Sequence, residues 1–328
     1  MKIARLTRTL IAGISFALLA QPLTAQAEVK IGVSDWPGWV AWYVAEQKGY
    51  FKKHGADVKL VWFANYTDSI SALSAGQVDG NSQTWSDTMA PLAKGIALKT
   101  ILVNDNSAGN DALMVGPKIK SFKDLKGKKI ALEEYSVSHF LLTMALNKNG
   151  MTLKDVNVVN LTAGDAAAAF MAGRVDAAVV WNPWVNTIQT SGKGKPLFTS
   201  KDVPGLVPDL LVVQEKSLKA KRKDFVGMIK AWYDVEAFLR SNPDEAAKIM
   251  SKVVGLGAKE YAVFLPGTKF FDQKANLQAF GPATDKTSLM GVAPTISKFL
   301  LDNKLMEGKV DFAKGLDASL VKEVAGVK

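Results

Sequence analysis

The 328-residue chain contains no cysteine and only two histidines, His54 and His139. The first absence excludes disulfide staples, thiolate metal sites and cysteine nucleophiles, and the second leaves too few imidazoles for a histidine-built metal centre. No metal or other cofactor is expected. Long apolar runs are missing too: no segment supplies the ~20 apolar residues a helix needs to cross a bilayer. What is present is ordinary globular material, 48% hydrophobic and 22% charged, which excludes a disordered or fibrous chain. The length suggests two domains, or one large unit with an internal cleft.

The first residues read as a leader. Lys2, Arg5 and Arg8 form a basic start, Leu10 to Ala20 an apolar core, and Pro22 breaks it before Ala25-Gln26-Ala27. This is the pattern of a secretory signal peptide spanning residues 1–27 and cut before Glu28. With no cysteine to carry a lipid, the product is expected free in the periplasm of a diderm bacterium. The formal charge of +10 changes meaning accordingly. Three basic residues leave with the leader, and residues 28–110 hold 7 basic and 8 acidic side chains. The excess lies further along, spaced as solvated helix faces, so nucleic acid is not an expected partner.

The chain echoes itself. Val29–Ser34 reads as a strand, Trp39–Lys53 as a helix, Val58–Phe63 as a strand and Thr67–Ala75 as a helix. Gly76-Gln-Val-Asp79 then leads into another strand. The second round is Ile130–Leu132, Ser138–Asn147, Val156–Leu161, Asp165–Ala172, then Gly173-Arg-Val-Asp176 and Ala177–Val180. Ala75-Gly-Gln-Val-Asp79 and Ala172-Gly-Arg-Val-Asp176 differ at one position. Each round is a βαβαβ unit, which demands a parallel sheet with right-handed crossovers. Two α/β lobes follow, the first from 28–110 plus 215–328, the second from 111–214. Asp111–Gly116 and Asp209–Gln214, if side by side, form a two-strand hinge. The tail from Lys216 reads as helical and packs back on the first lobe, with Asn242 capping a helix that opens on Pro243.

With these motifs the chain resembles the periplasmic substrate-binding proteins of ABC importers, in the nitrate, sulfonate, taurine and thiamine-precursor group. The resemblance spans the whole mature chain. It rests on Ala45-Glu-Gln-Lys-Gly-Tyr-Phe51, the two Ala-Gly-x-Val-Asp phrases, Asp124-Leu-Lys-Gly-Lys-Lys129, Trp181-Asn-Pro-Trp184 and Asn242-Pro-Asp-Glu-Ala-Ala247. It implies a two-lobe, type II binding-protein fold with doubly wound sheets. It also implies closure on a small ligand and delivery to an inner-membrane permease and ATPase. A monomer is expected.

In open parallel sheets, ligands sit beyond the carboxyl ends of strands. The loops there carry acids at Asp35, Asp105, Glu133, Glu134 and Asp165, and tryptophans at Trp36, Trp39, Trp85, Trp181 and Trp184, but neither lysine nor arginine. Carboxylates with aromatic faces suit a cation, each cation–π contact adding ~0.5–2 kcal/mol. Relatives that bind anions tend to carry small or basic residues where Glu133-Glu134-Tyr135 stands. A planar, nitrogen-rich cation such as a guanidinium or amidine is the expected ligand, held by Asp35, Trp36, Trp39, Trp85, Asp105, Glu134, Tyr135, Ser136, Asp165, Trp181 and Trp184. Strand alternation points one of Glu133 and Glu134 away, and Glu134 is the chosen contact. The alternative is a nitrate or sulfonate on the helix starts at Ser136 and Ser138.

Several of these residues have plainer roles open to them. Asp79 and Asp176 begin strands and read as turn residues. Asp68, Asp87 and Asp165 stand at helix starts, where capping competes with ligand contact. Asp111 either reaches the cleft or fixes the hinge. Trp42, Trp62 and Trp232 read as packing residues. No nucleophile–base constellation or phosphate loop is visible, so catalysis is not expected; a thiamine-pyrimidine enzyme of the same group is a remote alternative, and its cysteine chemistry is impossible here.

Overall fold

The computed structural model describes residues 28–327; the leader and its cleavage point lie outside the described residues. Eleven strands run in chain order as β1 (Val29–Val33), β2 (Val58–Trp62), β3 (Gly80–Thr84), β4 (Leu98–Ser107), β5 (Asp111–Val115), β6 (Lys129–Leu132), β7 (Asn157–Asn160), β8 (Ala177–Trp181), β9 (Lys195–Thr199), β10 (Pro208–Gln214) and β11 (Thr268–Phe270). They form two sheets, ordered β11-β4-β10-β3-β1-β2 and β7-β6-β8-β5-β9. The fold is the two-lobe α/β binding-protein architecture anticipated above.

The echo in the sequence is an echo in the hydrogen bonds. Gly76 and Gly173 both sit at positive φ, 72° and 70°, where a side chain is strained, and so end their helices in the left-handed turn. The aspartate three residues on then repeats one contact twice. Asp79 accepts from the Lys30 amide at 2.9 Å, and Asp176 accepts from the Lys129 amide at 2.9 Å. Both aspartates are turn residues that tie a helix exit to the first strand of its βαβαβ unit.

The two hinge segments do not pair with one another. After β4 the chain crosses to the second lobe, and β5 inserts antiparallel between β8 and β9. After β9 it crosses back, and β10 inserts antiparallel between β3 and β4. Residues 208–214 therefore belong to the first lobe's sheet, not to the second lobe. Each arriving strand is fully buried and finds its hydrogen-bond partners only inside the sheet it enters. The reciprocal exchange makes the crossings the only backbone links between sheets among the described residues.

The tail covers the first lobe, where Trp232 meets Trp42 at 4.8 Å between ring centroids. It is not wholly helical, since β11 joins the sheet edge beside β4. Trp62, expected to pack, is 39% exposed at the end of β2. The first helix is broken into Pro37–Val40, Trp42–Gln47 and Tyr50–Lys53, with Gly49 at φ 71° between the last two.

Candidate functional site

Strand direction decides which residues meet between the lobes. β1, β3 and β4 run the same way and end at one edge of the six-stranded sheet, so Asp35, Thr84 and Asp105 gather there. β10 runs oppositely, so its amino end lies at that same edge, with Asp209 opposite Thr84 and Asp105. In the other sheet the antiparallel β5 sets Asp111 opposite Trp181, at the end of β8.

Four bonds from acids hold the lobes together. Asp35 accepts from Trp181 Nε1 at 2.7 Å on one carboxylate oxygen and from Trp184 Nε1 at 2.7 Å on the other. Glu133 accepts from the Thr67 amide at 2.7 Å. Asp87 accepts from the Val137 amide at 3.0 Å and from the Tyr66 hydroxyl at 2.8 Å. Tyr66 in turn meets Trp181 edge to face, at 5.8 Å. Burial pushes the carboxyl of Asp35 up, while its two indole partners pull it back. It pushes Glu133 up to about 7 and Asp87 to about 6.

A second group of acids lies deeper. Asp105, Asp111 and Asp209 are at most 2% exposed. Trp36 Nε1 donates to Asp105 at 3.1 Å. Burial pushes Asp105 and Asp209 well above the carboxylate range, and the neighbouring acids add to it, Asp111 for Asp105 and both Asp105 and Asp111 for Asp209. Asp111 is pushed up to about 7 by burial and by the charge of Asp87. One oxygen each of Asp111 and Asp209 has no partner. Both residues line a cavity of about 10 Å³ walled by Trp36, Trp39, Tyr66 and Trp181. That is room for about one water. Among the described residues, no ion pair reaches any of these six acids.

The expected contacts divide. Asp35, Trp36, Trp39, Asp105, Trp181 and Trp184 come together between the lobes. Trp85 does not: it is fully buried in the first lobe's core, its Nε1 donating to the Leu289 carbonyl at 3.3 Å and its ring meeting Phe312 at 6.4 Å. Its helix starts at Trp85 itself, and two residues later Asp87 points to the other lobe. Glu134 is also not the buried acid. Leu132 packs into the core of the second sheet, so the next residue, Glu133, turns towards the first lobe and is 3% exposed.

Tyr135 is 69% exposed with φ 62° and, like Ser136, lines a separate cavity of about 400 Å³ beside His139. Ser136 is a helix cap, accepting from the Ser138 amide and donating to the Glu133 carbonyl. Asp165 is an exposed capping partner of Thr162. Sequence reasoning missed Asp209, Tyr66 and the reach of Asp87. The signal for Asp209 was available: Asp111-Ala-Leu-Met-Val115 and Asp209-Leu-Leu-Val-Val213 are buried apolar strands that each open on an acid.

Kinship agrees with this architecture. The family model described as NMT1/THI5 like matches residues 36–246. The chain belongs to the NMT1/THI5-like family. A Brucella abortus relative named only as a binding protein is 32% identical over 262 residues, covering 75% of this chain and 78% of its own. An Escherichia coli family relative named for binding aliphatic sulfonates is 25% identical over 305 residues, covering 90% of each. Among solved structures, the alkanesulfonate-binding protein of Xanthomonas axonopodis bound to MOPS superposes with a TM-score of 0.77. The two share 20% identity over 89% of this chain and 99% of that one, a likeness of fold. The named ligands of these NMT1/THI5-like and structural relatives are anions, and none lends support to a nitrogen-rich cation.

Proposed function

We propose that the chain is the periplasmic solute-binding protein of an ABC importer, exported by its leader, which closes two lobes on a small molecule and delivers it to a membrane permease and ATPase. Relatives named as binding proteins support this role over catalysis. The single observation that carries the ligand class is the deep acid group. Asp111 and Asp209 line an aromatic-walled cavity and Asp105 lies beside Asp209 behind it, and among the described residues no lysine or arginine is paired to them. A small nitrogen-rich cation, of the guanidinium, amidine or amine type, supplies the missing charge and donors, once the lobes part enough to admit it between ring faces that attract it. Closure is stabilised by the ligand's higher affinity for the closed state.

A second reading is a small anion, nitrate, taurine or an alkyl sulfonate. The relatives' names favour it, and Trp39 Nε1 and Ser138 Oγ are buried polar atoms without partners that could face an oxyanion. Calorimetry at pH 7.5 with guanidinium, methylammonium, urea, taurine and nitrate separates the two. The cation reading expects heat from guanidinium or methylammonium alone; binding of taurine or nitrate without a response to either cation refutes it.

A further inference from the structure

We propose that Asp105, Asp111 and Asp209 form the ligand's charge-binding subsite, and that a cation enters it by displacing protons to solvent. This rests on the cation reading above. It goes further in assigning the charge partner to the two inserted strands and the end of β4, rather than to the loop tips.

The geometry carries the assignment. Asp35 gives both oxygens to donors of the opposite lobe. Asp87 divides its oxygens between Val137 of the opposite lobe and Tyr66 and Ser86 of its own. Glu133 keeps one oxygen bare but does not line the small cavity. Asp111 and Asp209 instead keep a free, buried oxygen each, and both line the small cavity. Buried carboxylate oxygens without donors are costly unless protonated or paired. Three neighbouring acids in a site shut off from water cannot all be ionised, so without a cation beside them they hold protons. A cation reverses that balance, because its charge favours the ionised acids. The protons pass to water as the cation takes their place.

The groups facing this trio add to the effect. Asp87 and Asp35 are acids, and Tyr66 and Tyr261 are phenols whose ionisation is suppressed by burial first and by nearby acids second, Asp87 for Tyr66 and Asp35 with Asp105 for Tyr261. From β11, paired to β4, Phe270 lies opposite Asp105, while the exposed Lys269 lines a different cavity behind the crossings. No base from these packed elements replaces the proton.

Guanidinium chloride at sub-denaturing concentration is the probe, titrated calorimetrically into the mature chain from pH 5.5 to 8.5. Buffers of different ionisation enthalpy count the protons exchanged. Affinity is expected to rise with pH, approaching roughly tenfold per pH unit for each proton released, and to level off above the acids' ionisation range. Asp209→Asn and Asp111→Asn, checked for folding by circular dichroism, should weaken binding at least ~100-fold or lower the proton count, as loss of a partner to a buried charge does. A pH-independent affinity with no proton exchange overturns the displacement and leaves the cation reading standing. Unchanged affinity and proton count in both variants overturns the assignment to these acids. No guanidinium or methylammonium binding at any pH, with taurine or nitrate bound, overturns the cation reading itself.

Discussion

Asp35 and Asp209 stand at the same edge of one sheet and meet opposite fates. The carboxylate of Asp35 is satisfied on both oxygens by Trp181 and Trp184 of the other lobe. The carboxyl of Asp209 lies deeper, faces another acid across paired strands and leaves one oxygen bare. The first acid is a latch between lobes; the second makes no bond to the other lobe with its bare oxygen. Burial therefore does not by itself mark a ligand contact. What separates the two is the count of donors each acid already has.

The sharpest way to break this comparison is to neutralise each acid in turn. Asp209→Asn should cost about 3 kcal/mol or more in cation affinity, since the bound charge loses its partner in a dry site. Asp35→Asn, read in the same calorimetric titration, should cost less, about 1–2 kcal/mol, through a weakened latch. Small-angle scattering should show Asp35→Asn more open than the wild type in the absence of ligand. Equal losses would erase the distinction drawn here.

Acidity tests the same contrast without mutation. The deep acids, Glu133 and Asp87 hold protons in the fold to higher pH than in the unfolded chain. The fold thus binds more protons than the unfolded state from the ordinary carboxylate range up to about pH 7 and above, so stability falls as pH rises through that window. Acids held below their ordinary range, such as Asp79 and Asp234, act in the opposite sense only at lower pH. The ligand-free protein should melt higher at pH 5 than at pH 8, by differential scanning calorimetry. Guanidinium should narrow that gap.

The smallest effect separates neighbours. Glu133→Gln keeps an oxygen for the Thr67 amide but loses its charge, so ligand affinity should fall by about 0.5–1 kcal/mol. Glu134→Gln should leave the titration unchanged, since no lobe contact uses that side chain. The reverse ranking would restore Glu134 as the contact.

Much of the molecule was legible in one dimension. The two Ala-Gly-x-Val-Asp phrases announced a doubled unit, because a left-handed glycine followed by a strand-tying aspartate is local chemistry. The acid and tryptophan content of the strand tips was equally readable, and Asp35, Trp181 and Trp184 do meet. Trp85 misled because helix phase, set by packing against Leu289 and Phe312, turns it inward. Asp209 escaped notice because the rule of strand carboxyl ends applies to parallel strands, whereas β10 enters its sheet backwards.

Local composition was enough to define a two-lobe α/β protein with an acidic, aromatic cleft, since glycine turns, apolar periodicity and residue charge need no distant partner. Which acids are latched and which stand bare was decided only when β5 and β10 crossed into opposite sheets. Hydrogen-bond satisfaction is a property of neighbours in space, and those neighbours come from chain segments about 70 to 150 residues apart.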